Sequence, residues 1–160
     1  MKLPKNAFEI FLQPGEFYWG DADTRIRTIL GSCVAVTVWH PAQKVGGMCH
    51  IMLPSRARSA KKTGGVLNGK YADEAMTMIM SELNSCGIAP ESCHVKVFGG
   101  SNMFKTLRDI SNPIGDRNLE AVMDQLDRLG FTVHSHHHGG ELPRYIIFDV
   151  WSGWVWLRKH

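Results

Sequence analysis

The chain has 160 residues, 44% hydrophobic and 21% charged, the proportions of one ordinary globular domain, which excludes disorder over the whole chain. Eighteen Lys and Arg against 15 Asp and Glu leave a net charge of +3, too small and too scattered for a nucleic-acid stripe. No run approaches the roughly 20 apolar residues of a membrane span, and residues 1–14 lack a signal-peptide core, so the expected location is the cytoplasm.

Residues 33–39 (CVAVTVW) carry the apolar, β-branched composition of a strand buried on both faces. Residues 45–52 are a second strand candidate, with a turn near residues 40–44 between them. A basic loop, residues 55–69, holds Arg56, Arg58, Lys61 and Lys62 among Ser, Ala and Gly and reads as solvated. Ala72, Ala75, Met76, Ile79 and Leu83 recur at helical spacing, and Gly87 stands where a C-terminal cap belongs. Residues 94–98 (HVKVF) alternate as a half-buried strand does. A second helix begins near Asp116, carries Leu119, Val122, Met123, Leu126 and Leu129 on one face, and ends at Gly130. Residues 131–134, 145–150 and 154–157 follow as strands, the last two joined into a hairpin by Ser152-Gly153. The histidines of Ser135-His136-His137-His138 read as a solvated turn before Gly139-Gly140, and the five tryptophans as core and hairpin packing. The predicted architecture is a mixed α/β single domain over 1–160, mostly antiparallel or mixed sheet with two main helices packed on it.

In a reducing compartment Cys33, Cys49, Cys86 and Cys93 are reactive thiols, ligands or small buried hydrophobes. Cys33 follows Leu30-Gly31-Ser32 and opens the buried strand, so backbone N–H groups at Gly31 and Ser32 can face a developing oxyanion. The other reading is a structural thiol at the start of a core strand. His50 lies 17 residues later in an apolar segment. If the first two strands are antiparallel neighbours, its imidazole returns beside the thiol and can take its proton. The other reading is a core histidine.

Thr28 to Val36 (TILGSCVAV) resembles the signature of the CheD family of chemoreceptor glutamine deamidases. The segment Gly46 to Pro54 (GGMCHIMLP) is similar to that family's histidine segment, at a matching spacing. Lys96 to Phe104 and Ile114 to Asn118 agree as well, with weaker matches at Pro14-Gly15-Glu16, at Gly139-Gly140 with Arg144, and at residues 148–153. Three departures stand out: the family threonine, which some members carry one position earlier, where this chain has Arg27; Ser101, where Ala is common; and the histidine tract.

The resemblance implies a deamidase with Cys33 as nucleophile, His50 as base and Thr28 as the third member. Phe98, Gly99 and Gly100 would form a substrate-site loop. It implies no metal or organic cofactor, chemoreceptor cytoplasmic helices as substrate, and a CheC-type phosphatase as a candidate partner. Two alternatives stand beside it. One is a non-catalytic CheD-like scaffold. The other is a zinc module built from Cys49-His50, Cys86, Cys93-His94 and His136 to His138, whose spacings match no standard site.

Overall fold

A computed structural model describes residues 2–57, 65–103 and 112–159. Among these residues nine strands and two α-helices form two sheets and a helical layer. The strands are β1 (Phe8–Phe11), β2 (Phe17–Gly20), β3 (Thr24–Leu30), β4 (Val34–His40), β5 (Val45–Ile51), β6 (His94–Gly99), β7 (Val133–His138), β8 (Arg144–Asp149) and β9 (Trp154–Lys159). The helices are α1 (Ala72–Cys86) and α2 (Ile114–Arg128). The first sheet has the order β1-β3-β8-β9 and the second β2-β5-β4-β6-β7. Both are mixed, because β1 runs parallel to β3 and β6 parallel to β7 while the other pairs are antiparallel.

The strand β4 explains the layering. Successive side chains on a strand point to opposite faces. Val34, Val36 and Val38 pack with Met76, Ile79, Leu83, Val122 and Leu126 of the helices. Ala35 and its neighbour Met48 pack with Ile26, Leu30, Ile146 and Phe148 of the first sheet. The second sheet is therefore the middle of three layers, and its central strand is buried from Val34 to Val38, with Thr37 the one polar residue in that run.

The helix ends obey local chemistry. Gly87 caps α1 in the left-handed conformation at φ 66°, with its N–H on the Leu83 and Asn84 carbonyls. Helix α2 begins at Ile114, two residues before Asp116, with Pro113 at the N-cap position in an extended conformation.

Two expectations need correction. Residues 133–138 form β7, so His136 to His138 lie in a strand and not in a turn; parallel pairing with β6 outweighs the polar composition. The N-terminal strands β1, β2 and β3 add to the strands expected from the sequence. β3 alternates cleanly, with Thr24, Ile26, Thr28 and Leu30 inward, but two of the four inward residues are threonines and mask the pattern. Trp154 and Trp156 are 60% and 53% exposed, since they point off the outer face of β9, which no layer covers. Trp151, by contrast, is buried. Arg58, Lys61 and Lys62 of the expected basic loop, and Phe104, lie outside the described residues.

Candidate active site

Cys33 ends the turn Gly31-Ser32-Cys33 between β3 and β4, where the chain passes from the first sheet to the second. It is half-buried and packs against the core between the sheets. His50 is the register partner of Ala35, two residues along β4 from Cys33. Residues paired across antiparallel strands share a face, and a diagonal neighbour lies about 7–8 Å away along the backbone, within reach of an imidazole. His50 therefore enters the same inter-sheet layer as Cys33. Its backbone is held on the other side by the Pro14-Gly15-Glu16 turn: its N–H donates to Glu16 at 3.0 Å and its carbonyl accepts from Gly15 at 2.8 Å.

Thr28 reaches His50 from the opposite sheet. Thr28 Oγ1 lies 2.7 Å from His50 Nδ1 and donates to the Leu12 carbonyl at 2.9 Å. A hydroxyl has one hydrogen and a carbonyl can only accept, so the hydrogen goes to Leu12. His50 Nδ1 must then be the donor to Thr28, which leaves Nε2 as the bare, basic nitrogen. Strand alternation decides which β3 residue does this. Thr28 is wholly buried on the inner face, while Arg27 points outward to Tyr145 and Glu9.

Burial sets the resting charges. It pulls the His50 imidazole down to about 4, against a small opposing pull from the Glu16 carboxylate. It pushes the Cys33 thiol up from its ordinary value. At neutral pH both groups are therefore uncharged, a thiol and an imidazole whose free nitrogen can accept a proton. Cys49 and Cys93 are pushed by burial to about 12 and about 11, so they remain thiols packed in the core.

The three carbonyls of the Gly31-Ser32-Cys33 turn are all engaged. Ser101 N–H donates to Gly31 at 2.9 Å and Gly100 N–H to Cys33 at 2.8 Å. Asn118 Nδ2 donates to Ser32 at 3.1 Å and to Met52 at 2.9 Å, tying the turn to the end of β5. In a trans peptide the C=O and the next N–H point in opposite directions. Fixing the Gly31 and Ser32 carbonyls therefore fixes the Ser32 and Cys33 N–H groups, which is the preorganisation an oxyanion requires.

The Gly99-Gly100 segment must come this close to make those bonds. Gly99 has φ 105°, and a Cβ there would overlap the Cys33 carbonyl oxygen. Phe98 is buried between the sheets, so of the predicted substrate-site loop it is Gly99 and Gly100 that touch the cysteine turn. Met103 packs on Gly31 from outside and is 42% exposed at the rim.

Thr28, Gly31, Ser32, Cys33, His50, Gly99 and Gly100 thus meet at one end of the two-sheet layer. Sequence reasoning gave no role to Asn118. Its signal was its place four residues before Val122 and eight before Leu126, a polar side chain on the buried stripe of α2. Of the histidines in the zinc alternative, His94 stacks on His134 at 4.6 Å, His136 stacks on His138 at 4.7 Å, His50 meets Thr28 and His137 accepts from Arg144. Among the described residues no three His, Cys, Asp or Glu side chains group so as to hold a metal ion. No helix among them is long and apolar enough to cross a membrane.

The fold is a sheet-sheet-helix α/β architecture that gathers a thiol, an oriented imidazole and a braced backbone turn at one end. A family model described as CheD chemotactic sensory transduction matches residues 52–159. A relative from Albidiferax ferrireducens, "Probable chemoreceptor glutamine deamidase CheD 2", is 44% identical over 160 residues, covering 99% of this chain and 91% of that protein. "Probable chemoreceptor glutamine deamidase CheD 3" of Dechloromonas aromatica is 40% identical over 96% of this chain and 89% of its own length. "Probable chemoreceptor glutamine deamidase CheD 1" of Chromobacterium violaceum is 39% identical over 94% and 77%. The chain belongs to the CheD family.

Proposed function

We propose that this chain is a protein-glutamine deamidase of bacterial chemotaxis that converts glutamine side chains of chemoreceptors to glutamate through a Cys33 thioester. The relatives' names supply the substrate. The observation that carries the chemistry is the Thr28–His50 hydrogen bond, which leaves Nε2 of a neutral, buried imidazole free to act as base.

His50 Nε2 takes the Cys33 proton as sulfur attacks the amide carbon. The C–S bond forms and the carbonyl electrons move to oxygen, where the Ser32 and Cys33 N–H groups receive the charge. The imidazolium returns its proton to nitrogen, the C–N bond breaks and ammonia leaves. Water then attacks the thioester carbon, giving its proton to His50, and the C–S bond breaks to regenerate the thiol. The net change is one amide and one water to one carboxylic acid and one ammonia. Thr28 holds the imidazole in the useful tautomer throughout. The chemistry calls on no cofactor, and the substrate places the enzyme in the cytoplasm with receptor helices as its target. A CheC-type phosphatase is a candidate regulatory partner on the family's precedent.

The test is ammonia release together with a gain of about one dalton per site, the mass difference between an amide and an acid, on a chemoreceptor cytoplasmic fragment. Wild type should give both and Cys33→Ala neither. A wild type inactive on several receptors would favour the scaffold reading.

A further inference from the structure

Arg144 opens β8 opposite Leu30, at the end of β3, and is only 3% exposed. Its guanidinium is used as a fork. Nε donates to His137 Nδ1 at 2.7 Å, Nη1 to Ser101 Oγ at 2.5 Å, and Nη2 to the Gly139 carbonyl at 2.6 Å. Nη1 also lies 3.4 Å from the Leu142 carbonyl, to which the Ser101 hydroxyl itself donates at 2.8 Å. Ser101 is thus gripped through its side chain while its backbone N–H holds the Gly31 carbonyl at 2.9 Å. The Gly31 carbonyl and the Ser32 N–H belong to one planar peptide, so turning one turns the other.

We infer that Arg144, with His137 as its acceptor, is a positioning residue for the Ser32 N–H. Arg144 fixes Ser101, Ser101 fixes the Gly31–Ser32 peptide, and that peptide presents an oxyanion donor beside Cys33. A guanidinium always donates, so His137 accepts through Nδ1 and carries its proton on Nε2. Burial, reinforced by the Arg144 charge, favours that neutral form. The histidine tract thereby gains a purpose in one of its members, and Ser101, where the family commonly has Ala, gains a hydroxyl that the clamp uses. The inference rests on the deamidase reading for its catalytic consequence, but the clamp itself can be tested without it.

Two variants of the full chain, Arg144→Lys and Ser101→Ala, separate the possibilities. Lysine keeps the charge but cannot fork. With receptor fragment as substrate, Arg144→Lys should lower kcat roughly tenfold to a hundredfold with KM unchanged, the cost of a misplaced transition-state donor. Ser101→Ala should move kcat the same way by less, and it carries the test if Arg144→Lys does not fold. Alkylation of Cys33 by iodoacetamide needs the thiol but no oxyanion donor, so its rate and pH profile should stay at the wild-type values. In amide NMR spectra the Ser32 resonance should move in both variants while those of α1 hold. Unmoved Ser32 resonances overturn the clamp whatever the activity. A fall in kcat matched by an equal fall in alkylation overturns the oxyanion assignment. A wild type that deamidates nothing overturns the deamidase reading alone, and the Ser32 resonance still decides the clamp.

Discussion

Thr28 and His50 belong to different sheets, and the 2.7 Å contact between Thr28 Oγ1 and His50 Nδ1 bridges the layer that separates them. Because the Thr28 hydrogen is committed to Leu12, the contact has one direction, with His50 donating. Thr28→Val keeps the shape and removes the acceptor, so the buried Nδ1–H is orphaned and the tautomer is released. The lost hydrogen bond is worth about 1–3 kcal/mol, or one to two decades in kcat. Thr28→Ser restores the oxygen and should recover most of the rate. Steady-state kinetics on the two variants distinguishes a hydroxyl requirement from a shape requirement; equal losses in both would refute it.

The acid limb of the pH–rate profile should reflect a buried imidazole. His50 must be neutral to accept the Cys33 proton, and in the fold it charges only near 4 instead of the ordinary 6.5. Activity should therefore persist as pH falls through 6 and fail as it nears 4. The same group makes stability pH-dependent. Between 6.5 and about 4 the unfolded chain binds the His50 proton and the folded chain does not, so stability is full above 6.5 and falls as pH drops through that window. The loss is on the order of 3 kcal/mol. Denaturant titrations at pH 7.5 and 4.5 measure it, and His50→Gln should flatten the difference.

Gly99→Ala should damage folding and activity together. The residue sits at φ 105°, and its added methyl would collide with the Cys33 carbonyl, which is backbone and cannot swing away. A cost of about 2–4 kcal/mol is expected from backbone strain of this kind. Gly139→Ala is the control, since its positive φ of 72° is similar but a Cβ there meets open space. Its smaller loss, read by thermal melting, isolates the collision from the conformational penalty.

Asn118→Ala strips the amide from two carbonyls at once, Ser32 and Met52. Asn118 is fully buried, so water does not readily replace it. A loss of about 2–3 kcal/mol follows from two abandoned acceptors, measured by urea unfolding. Because the Ser32 carbonyl sets the Cys33 N–H, kcat should fall as well, even at temperatures where the variant is folded.

Much of this protein was legible in the chain. The β-branched, largely apolar run of β4 required a layer on each face, and the helical spacing from Ala72 to Leu83 with Gly87 behind it fixed α1 to within a turn. The hairpin of β8 and β9 followed from Ser152-Gly153 between two strand-forming runs. The antiparallel pairing of β4 with β5 brought His50 back toward Cys33 by register alone. What resisted was structure held by distant partners. The strand β7 holds its run of His and Ser because β6 supplies its hydrogen bonds, and β3 is masked by inward threonines, of which Thr28 finds its acceptor, the Leu12 carbonyl, only in the fold.

The sequence by itself determined that there is one α/β body, a thiol at the mouth of a core strand and an imidazole on the neighbouring strand, because those depend on local period and short-range register. Only the tertiary structure decided that Thr28 and not Arg27 meets His50, that Asn118 and Arg144 brace the cysteine turn, and that Nε2 is the basic nitrogen. Each of those depends on which face of a strand or helix meets another layer. Hydrogen bonds between residues 22, 86 and 43 positions apart have no signature in local spacing.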